Sequence, residues 1–273
     1  MALLETRGLM KTFGSVTAAA NISVSVAERE VIGVIGANGA GKTTFVNMVT
    51  GYMKPSAGAI LFRGQDITRR GPREITRLGI CRSFQVPQVF PSASLFDNIL
   101  MSLGAADERL AHWRPLREPQ RVEEAERIVA RYSLAQYHDQ RVGLLPQGVR
   151  KLLDIAMAMA HRPSLILLDE PTSGVSIQEK FGIMDIVMGA LKDAGVTVLF
   201  IEHDMEIIAR FGQRVLAFAE GTVISDGPTE QVLADSEVRR LVIGEELHRS
   251  APHAAPPKGA AKDGAASKGG RHA

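Results

Sequence analysis

The sequence predicts an α/β fold: a mostly parallel central sheet, an antiparallel β subdomain and a helical subdomain inserted in the core. Three observations carry this expectation. Val31-Ile32-Gly33-Val34-Ile35, Leu165-Ile166-Leu167-Leu168 and residues 196–201 are short, nearly uninterrupted apolar runs, as strands buried on both faces of a parallel sheet require. Stretches with helical start and stop signals separate them. The first run also leads directly into Gly36-Ala37-Asn38-Gly39-Ala40-Gly41-Lys42-Thr43, followed by Thr44. That segment fits G-x-x-x-x-G-K-[ST] in the strand–loop–helix setting the motif needs.

Before the first run, Asn21-Ile22-Ser23-Val24-Ser25-Val26 alternates strictly and puts Ile22, Val24 and Val26 on one face of an antiparallel strand. Phe13 precedes a glycine turn. Residues 42–50 read as a helix, with Gly51 placed to end it. Ala59-Ile60-Leu61-Phe62 and Ile80-Cys81-Arg82-Ser83-Phe84-Gln85 read as further strands. From 86 to 144 strand pattern is scarce. Pro87, Pro91, Pro115 and Pro119 punctuate the segment, and residues 120–134 form an amphipathic helix with Val122, Ala125, Val129 and Tyr132 on one side. Trp113 is assigned no chemistry. Residues 147–160 read as a helix, and Ser176 with Glu179 as a capping box opening another. Val215 to Ala219 and Thr222 to Ser225, joined by Glu220-Gly221, read as a hairpin, and two short helices run to about Leu247. The expected organisation is a folded domain over 1–247, with the helical subdomain at about 86–160, and a disordered basic tail over 248–273, too poor in large apolar side chains to order itself.

Composition narrows the function. An apolar content of 45% with 23% charge describes an ordinary soluble globular protein, and no apolar run approaches the roughly 20 residues that span a bilayer. The N-terminus has no charged-then-apolar signal pattern. The single cysteine, Cys81, excludes an internal disulfide, fits a reducing compartment and reads as a small buried apolar residue. Residues 249–273 carry a net charge of +4 and the remaining 248 residues a net of −2, which argues against nucleic acid as a partner of the folded part.

The glycine loop offers backbone N–H groups at a positive helix end, a cradle for a polyphosphate. Lys42 would reach the outer phosphates and Thr43 would bind magnesium. Ligands on parallel sheets sit at the carboxyl ends of the strands, where Ser83-Phe84-Gln85, Asp169-Glu170 and Glu202-His203 all fall. Asp169 is placed to hold magnesium through water, and Glu170 to polarise the attacking water.

At these residues the chain resembles the ATP-binding subunits of ABC transporters, over roughly residues 3 to 247. The resemblance implies a P-loop ATPase core. It matches Phe13 to the aromatic that stacks on adenine, and Gly36, Asn38, Gly39, Ala40, Gly41, Lys42, Thr43 and Thr44 to the loop that binds ATP. Gln85 matches the glutamine that contacts Mg2+ and senses the membrane partner, Asp169 and Glu170 the magnesium-binding aspartate and catalytic glutamate, and His203 the histidine on the γ-phosphate. Arg82-Ser83-Phe84-Gln85, Ile201-Glu202-His203-Asp204-Met205 and Gly244-Glu245 look like the branch that takes up branched-chain and other hydrophobic amino acids. The implied partners are two membrane-spanning permeases, a second ABC ATPase subunit (identical or related) and, indirectly, a periplasmic solute-binding protein. The implied location is the cytoplasmic face of the inner membrane.

Two positions depart from the family. Leu145-Pro146-Gln147-Gly148-Val149 stands where the family has Leu-Ser-Gly-Gly-Gln, the segment that meets the nucleotide of the opposite subunit. Proline removes the serine hydroxyl but is tolerated at a first helical position, and Gln147 offers a replacement amide. Ser176 stands where the family usually has Asp or Asn. The competing reading is a soluble ABC ATPase without a transport role, for example in cofactor assembly. A GTPase would need a guanine-reading N/TKxD-type motif, and none is present.

Overall fold

A computed structural model of the chain describes residues 2–107 and 115–244. Trp113, Glu245 and the 248–273 tail lie outside them. The chain opens with a hairpin of β1 (Ala2–Phe13) and β2 (Val16–Ala27), then enters the central sheet at β3 (Val31–Gly36) and passes through the phosphate loop into α1 (Lys42–Val49). β4 (Ala57–Phe62) and β5 (Gln65–Asp66) complete a four-stranded antiparallel sheet in the order β2-β1-β4-β5. α2 (Pro72–Leu78) then leads to β6 (Ile80–Ser83), which ends two residues before Gln85.

Three helices follow: α3 (Leu95–Ala106), α4 (Pro119–Arg131) and α5 (Gln147–Met159). The chain returns through β7 (Leu165–Asp169), α6 (Ile177–Asp193), β8 (Thr197–Ile201), α7 (Met205–Phe211), the hairpin of β9 (Arg214–Ala219) and β10 (Thr222–Pro228), and α8 (Thr229–Ala234). A last helical stretch covers Ser236–Val238 and Arg239–Ile243. The main sheet has the order β10-β9-β3-β8-β7-β6, with β10 antiparallel at the edge and its neighbours parallel.

Strand alternation divides the core between the two faces of this sheet. Ile35, Ile166, Leu168, Val198, Phe200, Val215 and Ala217 pack with residues of α3, α4, α5 and α6. Ile32, Val34, Leu165, Leu167, Leu199, Ile201, Leu216 and Phe218 pack with Phe45 and Val49 of α1 and with the inner face of the antiparallel sheet, Ile22, Val24 and Val26 among them. Both faces being covered explains why the central strands read as continuous apolar runs rather than alternating ones. Cys81, in β6, is buried, which pushes its thiol up to about 12 and leaves it an inert packing residue.

Local details differ from the sequence reading at three places. The sequence reading proposed no helix at α3, although Leu95, Phe96, Ile99 and Leu100 bury one of its faces. It is started by Ser94, whose hydroxyl accepts from the Asp97 N–H at 3.0 Å, and is anchored by fully buried Asn98, bonded to Phe90 and Ser94. Pro146 occupies the N-cap rather than the first helical position of α5, and caps nothing with its side chain. Ser176 is the N-cap of α6, but its hydroxyl donates to the Glu179 carboxylate at 2.6 Å instead of capping a backbone N–H, so the expected box is not closed. On α4, Glu123 and Arg127 pair at 2.8 Å.

Ile166 is fully buried in the middle of β7 between β6 and β8. Ile166→Ala is expected to destabilise the fold by about 2–5 kcal/mol and Ile166→Val by about 0.5–1.5 kcal/mol, read as lowered midpoints in urea or thermal denaturation.

Candidate functional site

The phosphate loop is shaped by what surrounds it. Gly36 has φ +154°, and a Cβ there would lie 2.5 Å from the Phe218 carbonyl oxygen. At Gly41, with φ +101°, a Cβ would lie 2.9 Å from the Ala18 carbonyl oxygen and 3.1 Å from Gly221 Cα. Only glycine fits such close backbone approaches. Gly221, at the turn between β9 and β10, accepts from the Ala20 N–H at 2.8 Å and donates to the Ala40 carbonyl at 3.1 Å, so both sheets grip the loop. Lys42 is buried, and its ammonium bonds the carbonyls of Gly36 and Ala37 within the loop. Thr43 is exposed at the start of α1.

The carboxylates arrive on neighbouring strands. Asp169 ends β7 opposite Ile201 of β8. Glu170 follows with φ +49°, a left-handed backbone for a non-glycine residue, and its N–H donates to the Ile201 carbonyl at 3.0 Å. That conformation is strained, and the bond to Ile201 helps to hold it. It places the Glu170 carboxylate between two partners: Gln85 Nε2 donates to Oε2 at 2.9 Å, and His203 Nε2 lies 3.1 Å from Oε1. A cavity of about 140 Å3 is lined by Asn38, Gly39, Ala40, Gly41, Lys42, Thr43, Thr44, Asp169, Glu170 and His203, with Ala18 and Ile201.

Other expected site residues stand outside that cavity. Gln85 reaches it only through Glu170. Phe13, at the end of β1, is 50% exposed, with the Lys11 ammonium 5.1 Å from its ring centre. Leu145, Pro146, Gln147 and Gly148 lie at the start of α5, with Leu145 buried. The Gln147 amide, offered by the sequence as a free donor, instead packs against Gly174 and donates to the Ser173 carbonyl at 3.3 Å.

Several charged residues to which the sequence reading gave no role of their own support this frame. Arg82 of β6 pairs with Asp169 at 2.5 Å, and its other amine donates to Asn47 of α1 at 2.6 Å. Glu202 is buried and accepts from the Thr172 N–H and hydroxyl at 2.9 and 2.7 Å, while burial pushes its carboxyl above the usual range. Lys151 and Asp154 are buried on α5. The signal that finds them is charge inside an otherwise apolar helical stretch, Leu152-Leu153 and Ile155-Ala156, since such residues are almost never fully buried unless paired.

The donor set suits a nucleotide with its divalent ion. The loop presents backbone at a helix N-terminus to an anion. Among the described residues no three His, Cys, Asp or Glu side chains form a metal-holding group. Asp169 and Thr43, both lining the cavity, would hold part of an ion's shell, with phosphate oxygens and water to complete it, the arrangement Mg2+ favours.

Comparison with known proteins agrees. Residues 19–173 match the family described as ABC transporter. A probable branched-chain amino acid transport ATP-binding protein, LivG, of Archaeoglobus fulgidus is 34% identical over 248 residues, covering 89% of this chain and 96% of the relative. The high-affinity branched-chain amino acid transport ATP-binding protein LivG of Escherichia coli strain K12 is 29% identical over 250 residues, covering 89% and 98%. Among solved structures, the ADP conformation of an ATP-binding cassette of an ABC transporter is similar with a TM-score of 0.78 at 31% identity, covering 88% of this chain and 98% of that one. The chain belongs to the ABC transporter family, as one of its ATP-hydrolysing subunits.

Proposed function

We propose that this ATP-hydrolysing subunit drives the uptake of branched-chain or related hydrophobic amino acids from the cytoplasmic face of the inner membrane. The chemistry rests on one observation above all: the Glu170 carboxylate, held between Gln85 and His203 at the mouth of the phosphate loop. Glu170 is the general base for the attacking water. Lys42 turns from the loop carbonyls to the outer phosphates, His203 grips the γ-phosphate, and Phe13 stacks on adenine. Thr43, Gln85 and Asp169 would hold Mg2+, which would neutralise phosphate charge.

The choice of solute class is supported by the relatives, two of them named as branched-chain amino acid transport ATP-binding proteins. Two permeases and a second ABC ATPase subunit complete the assembly, and a periplasmic solute-binding protein acts through the permeases. Among the described residues no helix is long and apolar enough to cross a membrane, so membrane attachment falls to those partners. Exposed Val86 and Phe90 beside Gln85 support residues 86–144 as the permease contact. In the pair, residues 145–148 of this chain face the nucleotide held by the opposite subunit. Pro146 brings no hydroxyl and Gln147 is engaged within its own chain, so that opposite site is the slower one if the partner offers an ordinary serine-bearing segment to this chain's nucleotide.

Lys42→Ala is expected to weaken ATP binding roughly 10- to 100-fold, the worth of a charge-assisted hydrogen bond, measured with a fluorescent ATP analogue. Glu170→Gln is expected to keep ATP binding and cut hydrolysis by roughly 10²- to 10⁴-fold, measured as phosphate release; normal turnover would move the base elsewhere. In the assembled pair, replacing Glu170 here is expected to cost more ATPase activity than replacing the partner's corresponding glutamate, and equal losses would refute the asymmetry. Purification from native membranes in mild detergent is expected to bring two permeases with the chain, whereas a chain without permeases would favour a soluble ATPase.

A further inference from the structure

Helix α5 carries two charges three residues apart, and both are buried: Lys151 has no exposed surface and Asp154 is 6% exposed. Their partners lie on two separate segments of the site. Asp154 Oδ2 accepts from the Ser83 hydroxyl at 2.8 Å and the Phe84 N–H at 3.1 Å, and Oδ1 accepts from the Gln88 N–H at 2.9 Å. Lys151 Nζ donates to the Gln85 carbonyl at 2.5 Å and to the Glu170 carbonyl at 3.1 Å. One turn of α5 therefore grips the strand-to-loop passage around Gln85 from both ends and its middle, and ties it to the residue after β7.

The position of these bonds matters more than their number. The Glu170 carbonyl belongs to the left-handed, strained residue of the site, and a strained backbone persists only where its surroundings fix it. The Gln85 carbonyl belongs to the residue whose side chain reaches Glu170. Lys151 thus sets the backbone at both ends of the Gln85–Glu170 hydrogen bond. Burial lowers the Lys151 ammonium from its usual range, opposed first by Asp154 and then by Glu170, Glu202 and Asp169. A buried charge of this kind is poor value for stability alone, since apolar residues of similar volume often serve as well.

We propose that Lys151 and Asp154 are positioning residues, which hold Gln85 and the Glu170 carboxylate in the geometry for water attack and make α5 the element that sets this chain's own turnover. The inference rests on Glu170 being the base. It also gives α5 a second contact, because the same helix begins at residues 145–148, the segment assigned to the opposite nucleotide.

The test measures ATP hydrolysis by the full-length chain as wild type, Glu170→Gln, Lys151→Met and Lys151→Arg. Lys151→Met is expected to lower kcat roughly 10- to 100-fold, the loss that a misplacement of about 1 Å produces, with the KM for ATP changed by less than about twofold. Lys151→Arg, which keeps the donors, is expected to recover most of the lost turnover. If Lys151→Met fails to fold, Asp154→Asn carries the same expectation of reduced kcat at unchanged KM. A Lys151→Met or Asp154→Asn protein with kcat within twofold of wild type overturns the inference, as does one whose KM rises in step with the loss of kcat. If Glu170→Gln retains full hydrolysis, the reading of Glu170 and this inference fall together; if Glu170→Gln is inactive while Lys151→Met is normal, only this inference falls.

Discussion

The register of four parallel strands is the constraint from which the site follows. Ser83 of β6 pairs with Leu168 of β7, Asp169 of β7 with Ile201 of β8, and Ile201 in turn with Val34 of β3. That ladder brings the ends of the four strands to one edge, so the phosphate loop, the Gln85 passage, the two carboxylates and His203 emerge side by side. Because side chains alternate with a period of two, a slip of one residue in any of these strands would exchange its two buried faces. The two apolar clusters on either side of the sheet make such a slip costly and thereby hold the chemistry in place.

A site built for a polyanion is here surrounded by acids, and each of them is held by specific partners. Asp169 faces Arg82, which is held in turn by Asn47. Glu202 is bonded twice by Thr172, and Asp154 takes three donors from the Gln85 passage. Glu170 lies between an amide and an imidazole. Buried charge is tolerated only with such partners. Because these partners come from α1, from β6 and from the segments after β6, β7 and β8, the same bonds that stabilise the acids also connect the elements.

Much of this was legible in the sequence where local rules act alone. The glycine loop, the apolar strands, the hairpin at Glu220-Gly221 and the carboxylates closing β7 all follow from spacing and residue type. What escaped depends on distant segments. The role of Lys151 arises from carbonyls 66 and 19 residues away, and no periodicity encodes that. Arg82 sits in a strand whose charged residue looks out of place until Asp169 is beside it. Ser176 and Glu179 have the spacing of a capping box, yet the hydroxyl prefers the carboxylate to the backbone. Pro146 entered as the cap rather than as the first residue of the helix, a shift of one position that pattern alone does not resolve.

The grip of both sheets on the phosphate loop has a consequence for how a nucleotide is captured. Gly41 is wedged between Ala18 and Gly221, and Ala40 is bonded to Gly221, so the loop is already shaped before any phosphate arrives. Little conformational freedom is then left to be lost on binding, and more of each contact's free energy appears as affinity. On the proposed reading, the rearrangement that ligand entry requires is chiefly that of one side chain, Lys42 leaving the carbonyls of Gly36 and Ala37. Rotamer changes of that kind are fast compared with domain motion. On that reading the cradle is a preformed receptor, and the slow steps of the proposed cycle lie outside it.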